Sequence, residues 1–311
     1  MQTPNCPLVS IALCTYNGEK FLSRLLESIV NQSYRNIEII ITDDCSVDNT
    51  WSILEIYREK DSRIKLNRNE KNLGYIKNFE KTILSCTGTY IALADQDDIW
   101  LPDKITVSVE NIKNNILVYH DSNFIDENDA PLGTESMSTR YNMYDGDSCL
   151  PFILSNCVSG HASLFNADIK KYIFPFNGQF YHDWWLAYVA FNVGTVKYID
   201  KILVHYRQHN DSITDNLKLR NSRLIDPAPV RGTERISLDL EWLKYCADYK
   251  YNRYPDLIKE AYYLFSNLAQ GKKRVKSFHF LLKHFDMLFY ICYKPKRFLS
   301  KINMIRKICF N

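Results

Sequence analysis

Three carboxylates crowd the stretch Asp95-Gln96-Asp97-Asp98, directly after an apolar run. So close together they repel one another unless a cation joins them, and hard oxygen donors of this kind select Mg²⁺ or Mn²⁺. Such an ion could hold the diphosphate of a nucleotide ligand; the alternative is a solvated acidic turn capping the helix that follows Pro102. Asp43-Asp44 also stands after an apolar run. A carboxylate there can accept hydrogen bonds from a ribose or a base edge, or, with Ser46 and Asp48, cap the next helix. In His182-Asp183-Trp184-Trp185 an acid is followed by two indoles, either of which could stack on a sugar ring. The plainer alternative is a capping Asp followed by two core tryptophans. Ser159-Gly160-His161 could meet an acceptor, with Gly160 permitting close approach, or simply turn the chain into a strand. In His205-Tyr206-Arg207-Gln208-His209, Arg207 and His209 offer cationic or metal-binding groups, although an isolated His is more often structural.

For these groups to act together the fold must bring them to one edge. Leu8 to Cys14 is a short apolar run, followed by the polar turn Thr15-Tyr16-Asn17-Gly18 and by Phe21, Leu22, Leu25, Leu26 and Ile29 at helical spacing. This reads as strand, loop, helix. Ile37 to Thr42 is a second buried strand, and Trp51, Ile53, Leu54 and Tyr57 predict the helix after it. A third unit runs from Ile64-Leu66 through Asn72-Leu73-Gly74 into a helix over Phe79 to Leu84, and Tyr90 to Ala94 is the fourth strand. Strands alternating with helices imply a parallel sheet covered on both faces. Ligands sit beyond the carboxyl ends of such strands. Thr15-Tyr16-Asn17, Asp43-Asp44 and Asp95 to Asp98 all fall at those ends, so one crevice could collect them. Beyond Pro102 the pattern predicts a helix to about Asn114, a strand Ile116 to His120 and an irregular stretch from Asp126 to Asp147. Short strands follow at Leu164-Phe165, Val196 to Ile199 and Ile202 to Tyr206, with a helix opening near Asp183. After Pro227 and Pro229, the spacing of Ile236, Leu240, Leu243 and Ala247 opens a helical region that runs to the end.

With 311 residues, 46% of them hydrophobic, the chain can bury a full core, which excludes disorder as its main state. Its 21 Tyr, 16 Phe and 5 Trp exceed what core filling demands and hint at bases or sugars as stacking ligands. Charge is uneven behind the net +3: residues 272–311 hold eleven Lys and Arg against the single acid Asp286, a local +10, which leaves −7 on residues 1–271. That basic tail carries Phe278, Phe280, Leu281, Leu282, Phe285, Leu288 and Phe289. It could lie in a membrane interface, drawn to anionic lipid, or pack as a helix on the rest of the chain or on a second copy. Nucleic acid is not an expected partner. The nine Cys show no C-x-x-C spacing that could close a zinc site, which fits reduced thiols. Met1 to Pro7 lacks the pattern of a secretory signal, and no run reaches the roughly 18 apolar residues of a spanning helix. The expectation is a cytoplasmic chain, peripheral at most on the inner face of the cell membrane. A G-x-G-x-x-G turn is absent after the first strand, which argues against a nicotinamide or flavin enzyme.

Four ordered motifs carry a resemblance: Val9-Ser10-Ile11 to Thr15-Tyr16-Asn17-Gly18, then Ile41 through Asp43-Asp44-Cys45-Ser46 to Thr50, then Asn72-Leu73-Gly74, then Asp95-Gln96-Asp97-Asp98-Ile99-Trp100-Leu101-Pro102-Asp103-Lys104. Over about residues 8–215 the chain resembles the inverting family 2 glycosyltransferases of GT-A fold. Gln before the Asp pair and Trp after it resemble the bacterial rhamnosyltransferase branch. The resemblance implies a single α/β catalytic domain over 1–226, with a nucleotide-sugar half (1–115) and an acceptor half (116–226), and a helical region over 227–311. It implies donor contacts from Thr15, Tyr16, Asn17, Asp44, Asp95 and Gln96: Tyr16 stacking on a pyrimidine, Asp44 accepting from its ring nitrogen, Asp95 meeting the ribose. Asp97 would ligate Mg²⁺ or Mn²⁺, with Asp98 as an outer or capping carboxylate. Arg207 or His209 would offset the diphosphate charge. Asp183 matches the family's general base, which takes the proton of the attacking hydroxyl if it lies within hydrogen-bond reach, with Trp184, Trp185 and His161 on the acceptor side. The implied donor is dTDP-rhamnose or a UDP-hexose, the acceptor a glycan or lipid-linked glycan, and the setting O-antigen or capsule synthesis. Family members often have Gly where this chain has Cys45. The rivals are a nucleotidyltransferase, an Asp-based phosphatase, and a sugar-nucleotide-binding module without activity. The first two usually bring a glycine- and lysine-rich loop or a nucleophilic Asp after the first strand, where this chain has Thr15-Tyr16-Asn17.

Overall fold

The structure, a computed structural model, describes residues 6–209, 233–292 and 298–310. Its described residues form two compact units, one from Met1–Arg140 and Val158–Gln208, the other from Tyr141–Cys157 and His209–Asn311. The expected boundary at residues 226 and 227 lies outside the described residues, as do Pro227 and Pro229.

The first unit holds a nine-stranded sheet. Four strands pair in parallel, in the order β3 (Ile64–Arg68), β2 (Ile37–Asp43), β1 (Val9–Thr15), β4 (Tyr90–Ala94). β1 and β2 are buried almost throughout, which is why they read as continuous apolar runs instead of alternating ones. α1 (Leu22–Val30) follows β1 and buries Leu22, Leu25, Leu26 and Ile29, the stripe that a 3.6-residue period places on one face. α2 (Thr50–Lys60) follows β2, α3 (Tyr75–Ser85) follows β3, and α4 (Lys104–Ile112) comes after the two-residue strand β5 (Ile99–Trp100).

Beyond β4 the sheet turns mixed. β8 (Ser163–Asn166) pairs antiparallel with β4 and with β6 (Leu117–Ile125), β6 runs parallel to β9 (Val196–Arg207), and β5 closes antiparallel on β9. The sheet is thus parallel through its first four strands and again between β6 and β9, with antiparallel pairs joining and flanking these parts. β6 outruns its predicted end at His120 because polar Asp121 is satisfied inside the sheet, accepting from the backbone of Ser122 and Ser138 and from the Ser138 hydroxyl. The irregular stretch contains β7 (Pro131–Ser136), paired with β6, and α5 (Met137–Arg140). Two predicted strands merge into β9, whose mismatch with β6 is absorbed by register shifts between His120 and Ser122. α6 (Lys170–Ile173) and α7 (His182–Val193) lie between β8 and β9.

The second unit holds α8 (Thr233–Ala247), α9 (Pro255–Ala269), α10 (Arg274–Leu288) and α11 (Phe298–Phe310). Its early segment is tied in by buried Phe152, whose carbonyl accepts from Trp242 Nε1 at 3.3 Å, and by Asn142 N donating to Ile291 O at 2.9 Å. No helix among the described residues is long and apolar enough to cross a membrane.

Candidate active site

The loops after β1, β2 and β4 are tied into one piece by side chains that cap backbone N–H groups. Asp43 accepts from the Thr15 hydroxyl (3.0 Å) and Ser46 N (3.0 Å), and Arg68 Nε lies 3.3 Å away. The Asn17 backbone donates to Ser46 Oγ, while its own Oδ1 accepts from Val47 N. Asn17 and Cys45 both take left-handed backbone conformations, φ +47° and +65°. Asn enters that region more readily than Cys, so the Cys45 side chain costs about 1 kcal/mol there. Asp44 is buried. Its Oδ1 accepts from Asn69 Nδ2 (2.7 Å) and Leu73 N (2.8 Å), its Oδ2 from Gly74 N (2.9 Å), which fixes the turn before α3.

Gln96 joins the first loop to the fourth. Its Oε1 accepts from Tyr16 N at 2.9 Å and its Nε2 donates to Tyr16 O at 3.1 Å. Gly18 makes room for this clasp, since a Cβ there would stand 2.4 Å from Gln96 Oε1. The ring of Tyr16 remains 46% exposed, which leaves an open aromatic face at the end of the parallel strands.

Asp95, Asp98 and His161 each offer a ligand atom within 4.8 Å of the others. His161 Nδ1 stands 3.6 Å from one oxygen of each carboxylate, and its other nitrogen is held by Ser122 Oγ at 3.0 Å. Asp98 is fully buried, and its Oδ2 has no hydrogen-bond partner. Burial first, and then the charges of Asp97 and Asp95, push its carboxyl well above the usual carboxylate range. Burial works against charge on Asp95 too, but the hydrogen bond and charge of His161 hold it below that range. An unpartnered buried oxygen, two carboxylates and an imidazole fixed from behind make a donor set that suits a divalent cation. Lys104 is buried beside them, its Nζ 3.3 Å from the centroid of the Trp100 ring and without a hydrogen-bond partner. Burial drives it well below the usual lysine range, and Asp98 and Asp95 oppose that.

Asp183 lies in the first turn of α7, accepting from Trp184 N (2.6 Å) and Gly160 N (3.3 Å). Burial raises its carboxyl to about 7, with the charge of Asp95 adding to the rise. Such a group is poised to exchange a proton near neutrality. His182 beside it stacks on Phe79 at 4.2 Å, and burial pushes it down to about 4.

Three expectations need correction. Arg207 is fully buried: its Nε and Nη1 donate to the carbonyls of Asp97 and Asp126, its Nη2 pairs with Asp129 at 2.6 Å, and its guanidinium lies over Phe21 at 4.5 Å. With its backbone N on Asp98 Oδ1 (3.0 Å), it braces the acidic turn from behind instead of facing a diphosphate. A buried guanidinium must find protein acceptors, and the loop after β6 supplies them. His161, placed on the acceptor side by the sequence, belongs to the carboxylate cluster because the 3-10 turn Gly160–Ala162 feeds β8, the neighbour of β4. Trp185 is core, its Nε1 on Ile173 O at 2.9 Å and its ring stacked on Tyr188. Trp184 is half-buried, His209 belongs to the second unit, and Asp97, the expected ligand, is part-exposed beside the cluster without being one of its members. Sequence reasoning missed buried Lys104 and the place of His161 beside Asp95 and Asp98. Lys104 carried a signal, a lysine four residues into the chain after Trp100 at the mouth of α4, whereas nothing in the string around His161 pointed to Asp98. A shallow depression of about 690 Å³ against α1, lined by residues including Arg24, Tyr57 and Trp100, holds none of the cluster carboxylates and plays no part in this chemistry.

A Rossmann-like parallel half, a mixed second half and acidic groups at the junction make up an architecture of GT-A type. The model of the family described as Glycosyl transferase family 2 matches residues 10–173, and the chain belongs to that family, a family of glycosyltransferases. Two relatives from Escherichia coli are each described as UDP-Glc:alpha-D-GlcNAc-diphosphoundecaprenol beta-1,3-glucosyltransferase. WfaP is 26% identical over 260 residues, 79% of this chain and 98% of WfaP, and WfgD is 30% identical over 216 residues, 67% of this chain and 80% of WfgD. The crystal structure of S. aureus TarS 1-349 in complex with UDP-GlcNAc has the same fold, with a TM-score of 0.59 at 18% identity over 97% of this chain and 79% of TarS 1-349.

Proposed function

We propose that the chain is an inverting, divalent-metal-dependent glycosyltransferase that moves a hexose from a nucleotide diphosphate to a hydroxyl of a lipid-linked glycan in surface polysaccharide synthesis. The observation that carries this reading is the division of labour among acids at one strand edge: Asp183 is held near neutrality, while half-buried Asp95 and buried Asp98 face His161, Asp98 with an oxygen to spare. The exposed Tyr16 ring stacks on the base, Asp44 shapes the base pocket through the Asn72-Leu73-Gly74 turn, and Trp184 offers a face to the acceptor sugar. Asp95, Asp98 and His161, with Asp97 beside them, would hold Mg²⁺ or Mn²⁺. An ion held by these residues would supply positive charge to offset that of the diphosphate leaving group. The acceptor oxygen forms its bond to the anomeric carbon as the bond to the diphosphate oxygen breaks, and its proton passes to Asp183, so the configuration inverts. The donor is dTDP-rhamnose or a UDP-hexose, and the activities by which WfaP and WfgD are described favour UDP-glucose within that set.

The test incubates the purified chain and Mn²⁺ with each donor and a sugar-diphosphate-lipid acceptor, follows the lipid product by mass spectrometry, and reads its anomeric configuration by NMR. Transfer with inverted configuration is expected from one donor. Retention of configuration, or tight donor binding with neither transfer nor hydrolysis, would overturn the reading.

A further inference from the structure

The second unit carries a surface that the catalytic reading does not use. α10 buries Ser277, Phe280, Leu281, Phe285 and Leu288, and turns Val275, Lys276, His279, Leu282, Lys283 and Met287 outward. α11 buries Ile305 and Cys309 and exposes Leu299, Asn303, Arg306, Lys307 and Phe310. The helices pack together through Phe278 and Phe310, and the Asp286–Lys301 ion pair bridges their exposed faces. That pair uses the only acid on the two helices. Lys272, Lys273, Arg274, Lys276, Lys283, Arg306 and Lys307 stay exposed, as do the apolar Val275 (61% exposed), Leu299 (75%) and Phe310 (41%).

A soluble surface that needed only charge would not leave large apolar side chains open among its lysines. An interface with another protein would set acidic and basic groups against complementary ones. Here an excess of one sign accompanies exposed apolar side chains on two packed helices, a combination that lets side chains enter the acyl boundary while ammonium and guanidinium groups meet headgroup phosphates. We propose that the paired faces of α10 and α11 dock on an anionic lipid bilayer. The proposal stands on this surface alone and is tested without reference to glycosyl transfer.

The full chain is sedimented with vesicles of phosphatidylglycerol and phosphatidylethanolamine, and with vesicles of phosphatidylcholine alone. Binding to the anionic vesicles that weakens as salt rises is expected, with little binding to the neutral ones. Replacing Lys276, Lys283 and Lys307 together by Gln, all exposed positions, should lower the partition coefficient about 100-fold. Leu299→Asp should lower it even at low salt, which separates insertion from simple ion pairing. Circular dichroism and the melting temperature of both variants should match the parent, so lost folding cannot imitate lost binding. Equal partition into the two vesicle types, or unchanged partition of the triple variant, overturns the proposal. So does a face that proves to be occupied by a second copy, seen as a dimer that Leu299→Asp dissociates while vesicle binding persists.

Discussion

Replacing Asp183 by Asn separates the chemistry of this carboxyl from its cost. Its folded pKa of about 7 stands above the ordinary 3.8, so it binds its proton more tightly folded than unfolded. The folded state therefore loses stability as pH rises from about 4 through about 7, and the loss is complete above that. Three units correspond to roughly 4 kcal/mol at 1.36 kcal/mol each, and because the side chain is not wholly sealed about half of that is expected in practice. Asn cannot ionise. At pH 8, Asp183→Asn should be about 2 kcal/mol more stable than the parent, a rise of several degrees in melting temperature. At pH 5 the gain should shrink to less than half of that, and below about pH 4, where the parent is protonated folded and unfolded alike, it should vanish. Transfer should move the opposite way: the variant loses about 10²- to 10⁴-fold in kcat, and the parent's kcat/KM falls about tenfold from pH 8 to pH 6 as the base is protonated. Scanning calorimetry and a product assay across pH 5–8 measure both. A gain in melting temperature equal at pH 5 and pH 8, or a variant that keeps its activity, would refute the reasoning.

Three further outcomes follow from the same geometry. Asp98→Asn replaces the unpartnered oxygen of the cluster and should weaken Mn²⁺ binding about 100-fold by calorimetry, while metal-free stability holds or rises because a buried carboxyl that resists ionisation gives way to a neutral amide; an equal loss in Asp97→Asn would place Asp97 among the ligands. Cys45→Gly relieves a left-handed backbone and should stabilise the fold by about 0.5 kcal/mol net of the entropy Gly returns to the unfolded chain, read by urea titration. Arg207→Met strips the carbonyls of Asp97 and Asp126 and the carboxylate of Asp129 of their buried partner, and should cost about 3–5 kcal/mol of stability in the same titration.

The first half of the sheet could be read directly from the chain because β1, β2 and β4 are buried on both faces, and a strand with no wet side shows itself as an unbroken apolar run. The acidic turn after β4 was legible for the same reason: a strand end fixes where a polar cluster must emerge. The second half hid behind its polar residues. Asp121, Ser122 and Asn123 interrupt the apolar pattern of β6, yet they sit in the sheet with their hydrogen bonds made by Ser138, His161 and His205. His161 and Asp98 are separated by 63 positions and meet only because β8 returns antiparallel beside β4, a pairing no local spacing announces. Arg207 misled because a cation near an acidic loop invites an anionic ligand. Its burial depends on Phe21 and on the Asp126–Asp129 turn, which approach from two other parts of the chain.

The Gln96 clasp bears on how this scaffold can change its ligand. Both of its bonds to position 16 end on main-chain atoms, so they survive whatever side chain stands there. The residue proposed to meet the base can be exchanged, Tyr for Phe, Trp or Leu, without shifting the backbone that carries it or the acidic loop on the far side of the clasp. The proposed contact to the base is thereby mechanically insulated from the Asp95, Asp98 and His161 cluster, and one position can be altered while the cluster keeps its alignment. Position 96 has no such freedom, because a shorter side chain cannot span the gap and a charged one cannot both donate and accept.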